Sequence, residues 1–493
     1  MFSNILPLSV AIPLLSAVII LILGKFTKGL GSIIAVACTV ITLFFSIVMF
    51  EYPDGTYWMS GWPPPLGITL AVDAFSKLLL LTVNLVAFLA AVYSVTYMQK
   101  YTAQEKFYAL FVLMLAGMNG VVITGDLFNL FVFLEIASLA SYALVGFGVE
   151  HEELEAGFKY LILGSVASTA ILFGIALVYN LTGTVNMADA ARFLSGLQTN
   201  RTFTFAAGMF IFGFALKAGL VPFHAWLPDA HPSAPAPVSA MLSGVLIKAL
   251  GIYALVRVVY SVFGAPPVML DILLWLGVLS MVVGVFLALG QYDIKRLMAY
   301  HSVSQMGYVA LGIGLGTPLG IAAGLFHMFN HASFKSLLFL DAGSLEHSTG
   351  TRDLRQMGGL MKKMPVTSIG TIVGSLSISG IPPFNGFWSK LLIILAAISA
   401  KQYIPAALAV FVSFMTLASF IKVQRFSLFG PLPKIFEKLH ETPFTMAFSL
   451  VALSIICLLV GIFYPFFIDA LFNPAAEAVL DQTKFISLIM GGI

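Results

Sequence analysis

The fold of this chain depends above all on the segment FTFAAGMFIFGFALKAGLVPFHAWLPDAHPSAPAP, residues 203–237. It begins as an apolar helix, reaches Lys217, and then runs through helix-breaking residues with His224, Asp229 and His231 among them. A charge at bilayer depth costs about 2.5–3.5 kcal/mol on insertion scales, and a broken helix leaves backbone groups that lipid cannot satisfy. A simple membrane anchor would carry neither feature, so the segment indicates a site that moves charge.

The composition places the rest of the chain in a membrane as well. Hydrophobic residues make up 59% of the 493 and charged residues 10%, against about 25% charged residues in soluble domains. Apolar runs of about 20 residues, long enough to cross a bilayer, recur throughout. The sequence therefore predicts an all-α polytopic membrane protein. The net charge of +3 is spread over many loops, so nucleic acid is not expected as a partner.

The cysteines and the N-terminus exclude other classes of protein. Cys38 and Cys457 lie in different apolar segments, which argues against a disulfide framework or a cysteine-held metal. No c-type haem attachment motif is present. The first apolar run follows Met1 without a basic region or a clear cleavage site, so we expect it to remain as a membrane-spanning helix.

About 14 membrane-spanning helices are predicted, with boundaries accurate to a few residues. They are residues 5–24, 30–50, 76–97, 107–124, 127–148, 158–181, 204–223, 235–261, 269–289, 297–315, 319–342, 367–398, 404–429 and 445–470. The tail after Pro474 is short and mildly apolar, and we expect it to be a surface segment.

The distribution of lysine and arginine predicts the orientation. Odd-numbered loops and their helix ends hold most of these residues, among them Lys25, Lys28, Lys100, Lys106, Lys159, Lys295, Arg296, Arg352 and Arg355. Even-numbered loops hold few, among them Lys77 and Arg257. Because cytoplasmic loops carry the excess of positive charge, we expect the odd loops inside the cell and both termini outside.

Two helix breaks of similar sequence indicate an internal repeat. Lys217 is followed by a break containing VPFHAW (221–226), and Lys390 is preceded by one containing IPPFNGFW (381–388). Each break lies in the fourth helix of a five-helix block, helices 4–8 and 9–13 of the predicted series. Since five is odd, the second block is inverted relative to the first. Interrupted helices at matching positions of two halves indicate a transport site.

Glu135 is a carboxylate inside an otherwise apolar helix, with Lys217 as its expected partner. An acid near a base makes the protonation of each depend on the other. A lysine whose proton affinity depends on the distance to Glu135 would act as a proton gate. The structural alternative is a simple ion pair with a neighbouring cation.

Lys248 lies near the middle of its predicted helix with no acid nearby in sequence. Desolvation favours the neutral form of a buried amine, so we interpret this residue as a central proton carrier. Its long stem could instead snorkel towards a helix end. Lys390, after the second break, is subject to the same argument as Lys217.

His327, His331 and Lys335 fall at i, i+4 and i+8 on one helix face. Three interpretations stay open: a metal pair, two core histidines with satisfied hydrogen bonds, and a proton relay. No glutamate follows the first histidine as in a zinc protease, and histidine titrates near neutral pH, so the relay is preferred and no metal is expected.

The sequence as a whole predicts a proton path. Sodium prefers oxygen ligands, whereas the central series is lysine and histidine. The path residues are Glu135, Lys217, Lys248, His327, His331, Lys335 and Lys390. The supporting polar residues are Asp126, His224, Asp229, His231 and Asp341.

Five strings from these regions resemble the antiporter-type subunits shared by Mrp sodium/proton antiporters, membrane-bound hydrogenases and respiratory complex I. They are GDLFNLFVFLE (125–135), LVPFHAWLPDAHPSAPAPVSAMLSGVLIK (220–248), QYDIKRLMAYHSVSQMGY (291–308), FNHASFKSLLFLDAG (329–343) and GIPPFNGFWSK (380–390). The first string and the length are most similar to the Mrp D subunit and its hydrogenase counterpart. Asp341 stands where the family would lead us to expect a small residue, so its role stays open.

The resemblance implies 14 helices in two inverted five-helix repeats, with helices 7 and 12 broken. It implies that Glu135 and Lys217 form a regulatory pair, that Lys248 is the central lysine and that Lys390 is the terminal site. It also implies that the chain functions as one subunit of a multisubunit complex in the cell membrane. No cofactor and no redox chemistry are expected in this chain. The expected division is helices 1–3 in residues 1–100, the two repeats in 101–265 and 266–430, and the last helix and tail in 431–493.

The function expected is that of a proton-translocating subunit of a multisubunit cation/proton antiporter. One alternative is a proton-pumping subunit of a membrane-bound hydrogenase or of an oxidoreductase related to complex I. A stand-alone carrier would need a midplane pocket with polar recognition groups, and a haem-binding or quinone-binding subunit would need ligands on two helices. Whether sodium passes through this chain stays open.

Overall fold

The computed structural model describes residues 2–27 and 29–491. Lys28, which the charge pattern places in a loop, lies outside the described residues. The chain begins with six long helices. They are α1 (Phe2–Leu23), α2 (Leu30–Val48), α3 (Ala74–Tyr97), α4 (Gln104–Ile123), α5 (Leu127–Val145) and α6 (His151–Thr182). Asp73 caps α3 by accepting the N–H of Ser76 at 2.9 Å, which satisfies a donor without a partner inside the helix.

A two-stranded antiparallel sheet interrupts the helical pattern between α2 and α3. Strand β1 (Gly55–Trp58) pairs with β2 (Thr69–Val72), so that Gly55 lies opposite Val72 and Trp58 opposite Thr69. The all-α prediction did not include it, because four residues are at the lower limit at which alternation indicates a strand.

The central part of the chain contains the first helix break. Its helices are α7 (Met187–Leu194), α8 (Arg201–Ala218), α9 (Leu227–Ser233) and α10 (Ala236–Val262). All of α10 is buried. Its backbone is π-helical over Leu242–Tyr253 and Arg257–Val262. The sequence predicts the position of α10 but not this wider winding.

The second half of the chain continues after α10 with a further series of helices. Its helices are α11 (Pro267–Leu289), α12 (Ile294–Gly314), α13 (Pro318–Thr349), α14 (Pro365–Ser379), α15 (Asn385–Ser399), α16 (Tyr403–Ser427) and α17 (Phe444–Ile462). Helix α13 packs against α10, α12, α14, α15 and α17, so α10 and α13 form the centre of the molecule.

The C-terminal tail folds back onto the helices. Helix α18 (Asn473–Leu480) packs against α3 and α13, and α19 (Gln482–Met490) packs against α7 and both strands. Ala475 and Ile489 are fully buried. The predicted surface segment after Pro474 thus consists of two short helices, each with an exposed side and an apolar face that packs on the bundle.

Among the residues that the structure describes, ten helices are long and apolar enough to cross a membrane, namely α1–α6, α10, α11, α16 and α17. Helices α14 and α15 on either side of the second break are shorter and apolar. Helices α12 and α13 are central but rich in polar side chains, which lowers their hydropathy. Apart from the small sheet, the chain is an all-α polytopic membrane protein.

Candidate functional site

Glu135 and Lys217 meet at the contact between α5 and α8. The Lys217 ammonium lies 3.9 Å from Oε1 of Glu135 and donates hydrogen bonds to Ser138 Oγ at 2.9 Å and Tyr142 Oη at 3.1 Å. Glu135 in turn accepts a hydrogen bond from Ser168 of α6. Residues 135, 138 and 142 share one face of α5, so Lys217 has a charged partner and two neutral partners within reach.

The first helix break fixes the position of Lys217. Helix α8 ends at Ala218 and is followed by Gly219, whose φ of 68° is a left-handed conformation that glycine adopts without strain. The Trp226 indole donates to the carbonyl of Leu216 at 3.0 Å, which also accepts the N–H of Gly219, and Ser280 Oγ accepts the N–H of Val221 at 2.9 Å. The irregular backbone is thus satisfied by the protein, as its depth in the membrane requires.

Lys248 lies within the π-helical part of α10 and is fully buried. Its ammonium donates to the carbonyl of Ser243 at 2.6 Å, and it is within electrostatic range of Lys335. The backbone at Gly251, one turn further along, lies against Ala218, so the centre of α10 contacts the end of the helix that carries Lys217. Snorkelling is contradicted, because the amine stays inside the protein.

Helix α13 carries His327, His331 and Lys335, which are fully buried inside the protein, as Lys248 is. His327 bridges two helices, with Nδ1 2.9 Å from Ser389 Oγ and Nε2 3.2 Å from Gln305 Oε1. Lys335 donates to the carbonyl of Met298. Within residues 2–27 and 29–491, neither ring nitrogen of His331 has a hydrogen-bond partner. That histidine is free to accept or donate a proton.

Lys390 lies beside the second helix break. Its ammonium donates to the carbonyl of Ile378 at 2.7 Å and lies 4.8 Å from the centre of the Tyr308 ring. A cavity of about 180 Å³ lies beside it, lined in part by Ser379 and Ser413. Tyr308 also contacts His327, with ring centres 5.4 Å apart, so aromatic contacts connect the terminal lysine to α13.

The comparisons with known proteins establish the family. Residues 124–416 match the family described as NADH:quinone oxidoreductase/Mrp antiporter, transmembrane. Residues 58–108 match the N-terminal region of chain 5 of NADH-ubiquinone oxidoreductase (complex I). The chain belongs to the NADH:quinone oxidoreductase/Mrp antiporter family.

Relatives of this family member match it over nearly its full length. It is 31% identical to the D subunit of the Na(+)/H(+) antiporter of Alkalihalophilus pseudofirmus, with 99% of each chain covered. It is 38% identical to the N subunit of NADH-quinone oxidoreductase of Desulforudis audaxviator, over 87% of this chain and 86% of the relative. A chain of the Mrp complex from Dietzia sp. superimposes with a TM-score of 0.93, at 30% identity and 99% coverage of both chains. The predicted resemblance and the prediction of an antiporter-type membrane subunit are confirmed.

The predicted supporting residues of this antiporter-type subunit lie in different environments. Asp126 caps α5 by accepting the N–H of Asn129 at 2.7 Å. Asp229 is partly exposed and pairs with Lys159 and Arg296 at 3.2 and 3.0 Å, so it links α9 to α6 and α12. His224 is partly buried in the first break.

His231 and Asp341 are the buried members of the supporting set. His231 is fully buried and stacks on Phe339 with ring centres 4.6 Å apart. Within the described part of the chain, both of its ring nitrogens lack a hydrogen-bond partner. Asp341 is also buried and accepts a hydrogen bond from Thr371 of α14.

The charge pattern of the sequence assigns Arg257 the wrong environment. It counts as a loop cation in that pattern, but its side chain is buried within α10 and lies 2.6 Å from Asp73. Its guanidinium also contacts Tyr253 at 3.2 Å and the ring of Phe485. Asp73 and Phe485 come from the start of α3 and from α19, so nothing near Arg257 in the sequence indicated them.

The hydrogen-bond and aromatic partners of the path residues were also missed, namely Ser138, Tyr142, Gln305 and Tyr308. The signal for the first two was their spacing from Glu135 on α5. Among the described residues there is no group of three or more His, Cys, Asp or Glu that could hold a metal ion. The site is a series of buried amines and imidazoles, in which Lys217 and His327 bond to hydroxyl groups and Lys248, Lys335 and Lys390 bond to backbone carbonyls.

Proposed function

We propose that this chain is the proton-translocating subunit of a multisubunit cation/proton antiporter of the Mrp type. The observation that carries the proposal is the contact between Lys217 and Glu135, at 3.9 Å, at one end of a buried series of titratable groups. Four buried lysines and the histidines of α13 are costly inside a membrane, and ionisable groups at that depth mark ion paths.

The Lys217 ammonium supplies the gate. In the structure it is hydrogen-bonded to Ser138 and Tyr142, while Glu135 is held by Ser168. A small movement of the amine exchanges neutral partners for the carboxylate. When Lys217 pairs with Glu135 its positive charge is neutralised, and when it leaves, that charge acts towards α10, whose centre packs at Gly251 against Ala218 at the end of α8. The protonation of Lys248 therefore depends on the state of the pair.

Protons would then pass from Lys248 through the α13 residues to Lys390. His331 and Lys335 lie within electrostatic range of Lys248. His327 bonds to Ser389, which precedes Lys390. Each of these groups can take up a proton and release it without forming any other bond, so the series needs only hydrogen-bonded contacts and water.

We also propose the finer architecture that the family implies. It comprises 14 membrane-spanning helices, with inverted repeats in residues 101–265 and 266–430, helices 1–3 in 1–100, and the last helix and tail in 431–493. The two breaks support it, because α8 and α14 end alike, with Gly219 and Gly380 at φ 68° and 81°. The distribution of lysine and arginine supports a cell-membrane orientation with both termini outside.

The partners proposed are the other membrane subunits of such a complex, with protons as the transported ion and the bilayer as the surroundings. The relative from Alkalihalophilus pseudofirmus is named for Na(+)/H(+) antiport, and a similar chain occurs in the Mrp complex from Dietzia sp.. The second candidate is a proton-pumping subunit of a respiratory complex, which the 38% identity to the NADH-quinone oxidoreductase relative favours.

The test is Lys248→Ala in the complete complex, purified from membranes and reconstituted in liposomes. We expect proton transport to fall to background while the complex assembles normally. The matched control is Lys438→Ala, which removes an exposed lysine and should leave transport unchanged. Normal transport by an assembled Lys248→Ala complex would contradict the proposal.

The same preparation distinguishes the two complexes. Mass spectrometry of the co-purified subunits should find other antiporter subunits if the chain serves an Mrp-type complex. Subunits that carry iron–sulfur clusters or nickel would favour the respiratory alternative.

A further inference from the structure

Asp341 is a buried carboxyl group that the path from Lys217 to Lys390 does not use. It lies on α13 and is 1% exposed. It faces α14, where Thr371 donates a hydrogen bond to Oδ2, whereas Lys335 on the same helix faces α12 and donates to Met298. Within residues 2–27 and 29–491, Oδ1 has no hydrogen-bond partner. This oxygen is available to hold a proton.

A row of hydroxyl groups on α14 runs past Asp341. Its members are Thr367, Thr371, Ser375 and Ser379, which we call the hydroxyl row. They are four residues apart, so they lie on one face of the helix at intervals of roughly 6 Å, a gap that one water molecule bridges. All four are buried, and Oγ of Ser375 has no hydrogen-bond partner in the described part of the chain.

One end of the hydroxyl row reaches the membrane face at Glu441. Thr367 Oγ1 donates to Glu441 Oε1 at 2.6 Å. Glu441 lies in the connection before α17 and also accepts the N–H of Val366 at 2.6 Å, so it caps the start of α14. Its carboxylate is half-buried and presents a negative charge where the row begins.

The other end of the hydroxyl row reaches the terminal lysine. Ser379 lines the cavity beside Lys390 and donates to the carbonyl of Ser375 at 2.7 Å. The Lys390 ammonium bonds to the carbonyl of Ile378, the residue before Ser379. The row therefore runs along a single helix from Glu441, past the buried carboxyl group of Asp341, to the cavity beside the terminal amine.

We infer that Asp341 binds and releases a proton, and that the hydroxyl row connects it to Lys390 and to the membrane face at Glu441. In the transfer step the O–H bond at Oδ1 breaks, the proton moves along hydroxyl groups and water, and an N–H bond forms on neutral Lys390. No oxidant or other reactant is required. The inference deepens the proposed function and rests on the proton-carrying role of Lys390.

The other titratable groups that face Asp341 do not replace it. Glu441 interacts electrostatically with Asp341 across the start of α14. Tyr93 of α3 donates its hydroxyl to the carbonyl of Leu340 at 2.8 Å and lies 3.1 Å from Ser344 Oγ. Tyr93 is thus hydrogen-bonded to a backbone carbonyl and a hydroxyl group. Glu441 is hydrogen-bonded to Val366 and Thr367 at the start of α14. Asp341 is the group with a free oxygen.

The first test reads protonation of Asp341 directly. Membranes that contain the complete complex are treated with dicyclohexylcarbodiimide, which reacts with protonated carboxyl groups in apolar surroundings, and the adduct is located by mass spectrometry. We expect an adduct at Asp341 that forms faster at lower pH and is absent in Asp341→Asn. Absence of the adduct throughout the pH range, or protection by sodium at constant pH, would overturn the inference, since the second result indicates a cation site.

The second test reads the hydroxyl row. Thr371→Val removes the hydrogen bond that Oδ2 of Asp341 accepts. Because that hydrogen bond favours the carboxylate, its loss should extend the labelling of Asp341 to more alkaline pH by about one unit. Proton transport should fall at least about tenfold in Asp341→Asn. The matched control is Thr416→Val, at a fully buried hydroxyl that bonds within α16 and should change neither property. Transport at the normal rate in Asp341→Asn would also overturn the inference.

The Lys248→Ala complex separates this inference from the proposed function. It should lose transport and keep the labelling of Asp341. If it kept transport, the proposed path would fail while the labelling still reported on Asp341.

Discussion

Replacing Glu135 by glutamine tests the gate most directly, because the change removes the charge and keeps the shape. The Lys217 ammonium is 3.9 Å from Oε1 of Glu135, and their side chains are 3% and 27% exposed. Two unit charges 4 Å apart attract by about 4 kcal/mol at an effective dielectric constant of 20 and by about 1 kcal/mol in water. The partial exposure of Glu135 places the pair between these limits. Each 1.4 kcal/mol changes an equilibrium tenfold, so the Glu135→Gln variant should shift the protonation equilibrium of Lys217 by between about fivefold and a thousandfold.

The assay is the formation of a pH gradient by everted membrane vesicles that contain the complete complex, followed with a fluorescent amine. Glu135→Gln should lower the rate at least about fivefold, while Glu135→Asp, which keeps the charge on a shorter side chain, should give an intermediate rate. Asp271→Asn is the control, since Asp271 is an exposed carboxylate on α11. If Glu135→Gln assembled normally and transported at the rate of the unmodified complex, the coupling between Glu135 and Lys217 would be refuted.

Three further outcomes are expected. Tyr142→Phe removes a hydrogen bond of 3.1 Å to Lys217, worth about 1 kcal/mol, so the transport rate should change about fivefold. An unchanged rate in the vesicle assay would count against a role for the position in which the Lys217 amine bonds to Ser138 and Tyr142. His331→Gln should slow transport more than His440→Gln, since His331 is fully buried and His440 lies in the connection before α17; equal rates would argue against a relay through α13. Arg257→Ala should lower the free energy of unfolding of the subunit by about 3–5 kcal/mol, because it leaves Asp73 as an unpaired buried charge. In thermal denaturation, removal of the exposed Arg355 side chain should leave the melting temperature unchanged, and an equal effect of the two variants would argue against the buried pair.

Much of the fold follows from local properties of the sequence. Apolar length predicts the helices, and the prolines and glycines of residues 218–237 and 380–388 predict the breaks. The burial of Lys217, Lys248, Lys335 and Lys390 also follows, because these lysines lie within apolar runs. The small sheet was too short to show a pattern, and the local sequence did not predict the π-helical winding of α10.

The environment of individual side chains depended on residues far away in the chain. Arg257 sits near the end of an apolar run, where a cation is usually exposed, and its burial depends on distant partners that include Asp73 at the start of α3 and Phe485 of α19. Asp341 gave no indication of its partner, because Thr371 lies on the next helix and Glu441 follows much later.

The membrane class, the family and the burial of lysines inside apolar runs can be read from the chain's amino acids, since hydropathy and spacing along a helix are properties of short segments. Which hydroxyl, carboxyl or carbonyl group faces each amine depends instead on how the helices pack, because those partners come from different helices. Lys217 is one residue from the end of α8 whatever its neighbours are. Its choice between Glu135 and the hydroxyls of Ser138 and Tyr142 exists only once α5 packs beside it.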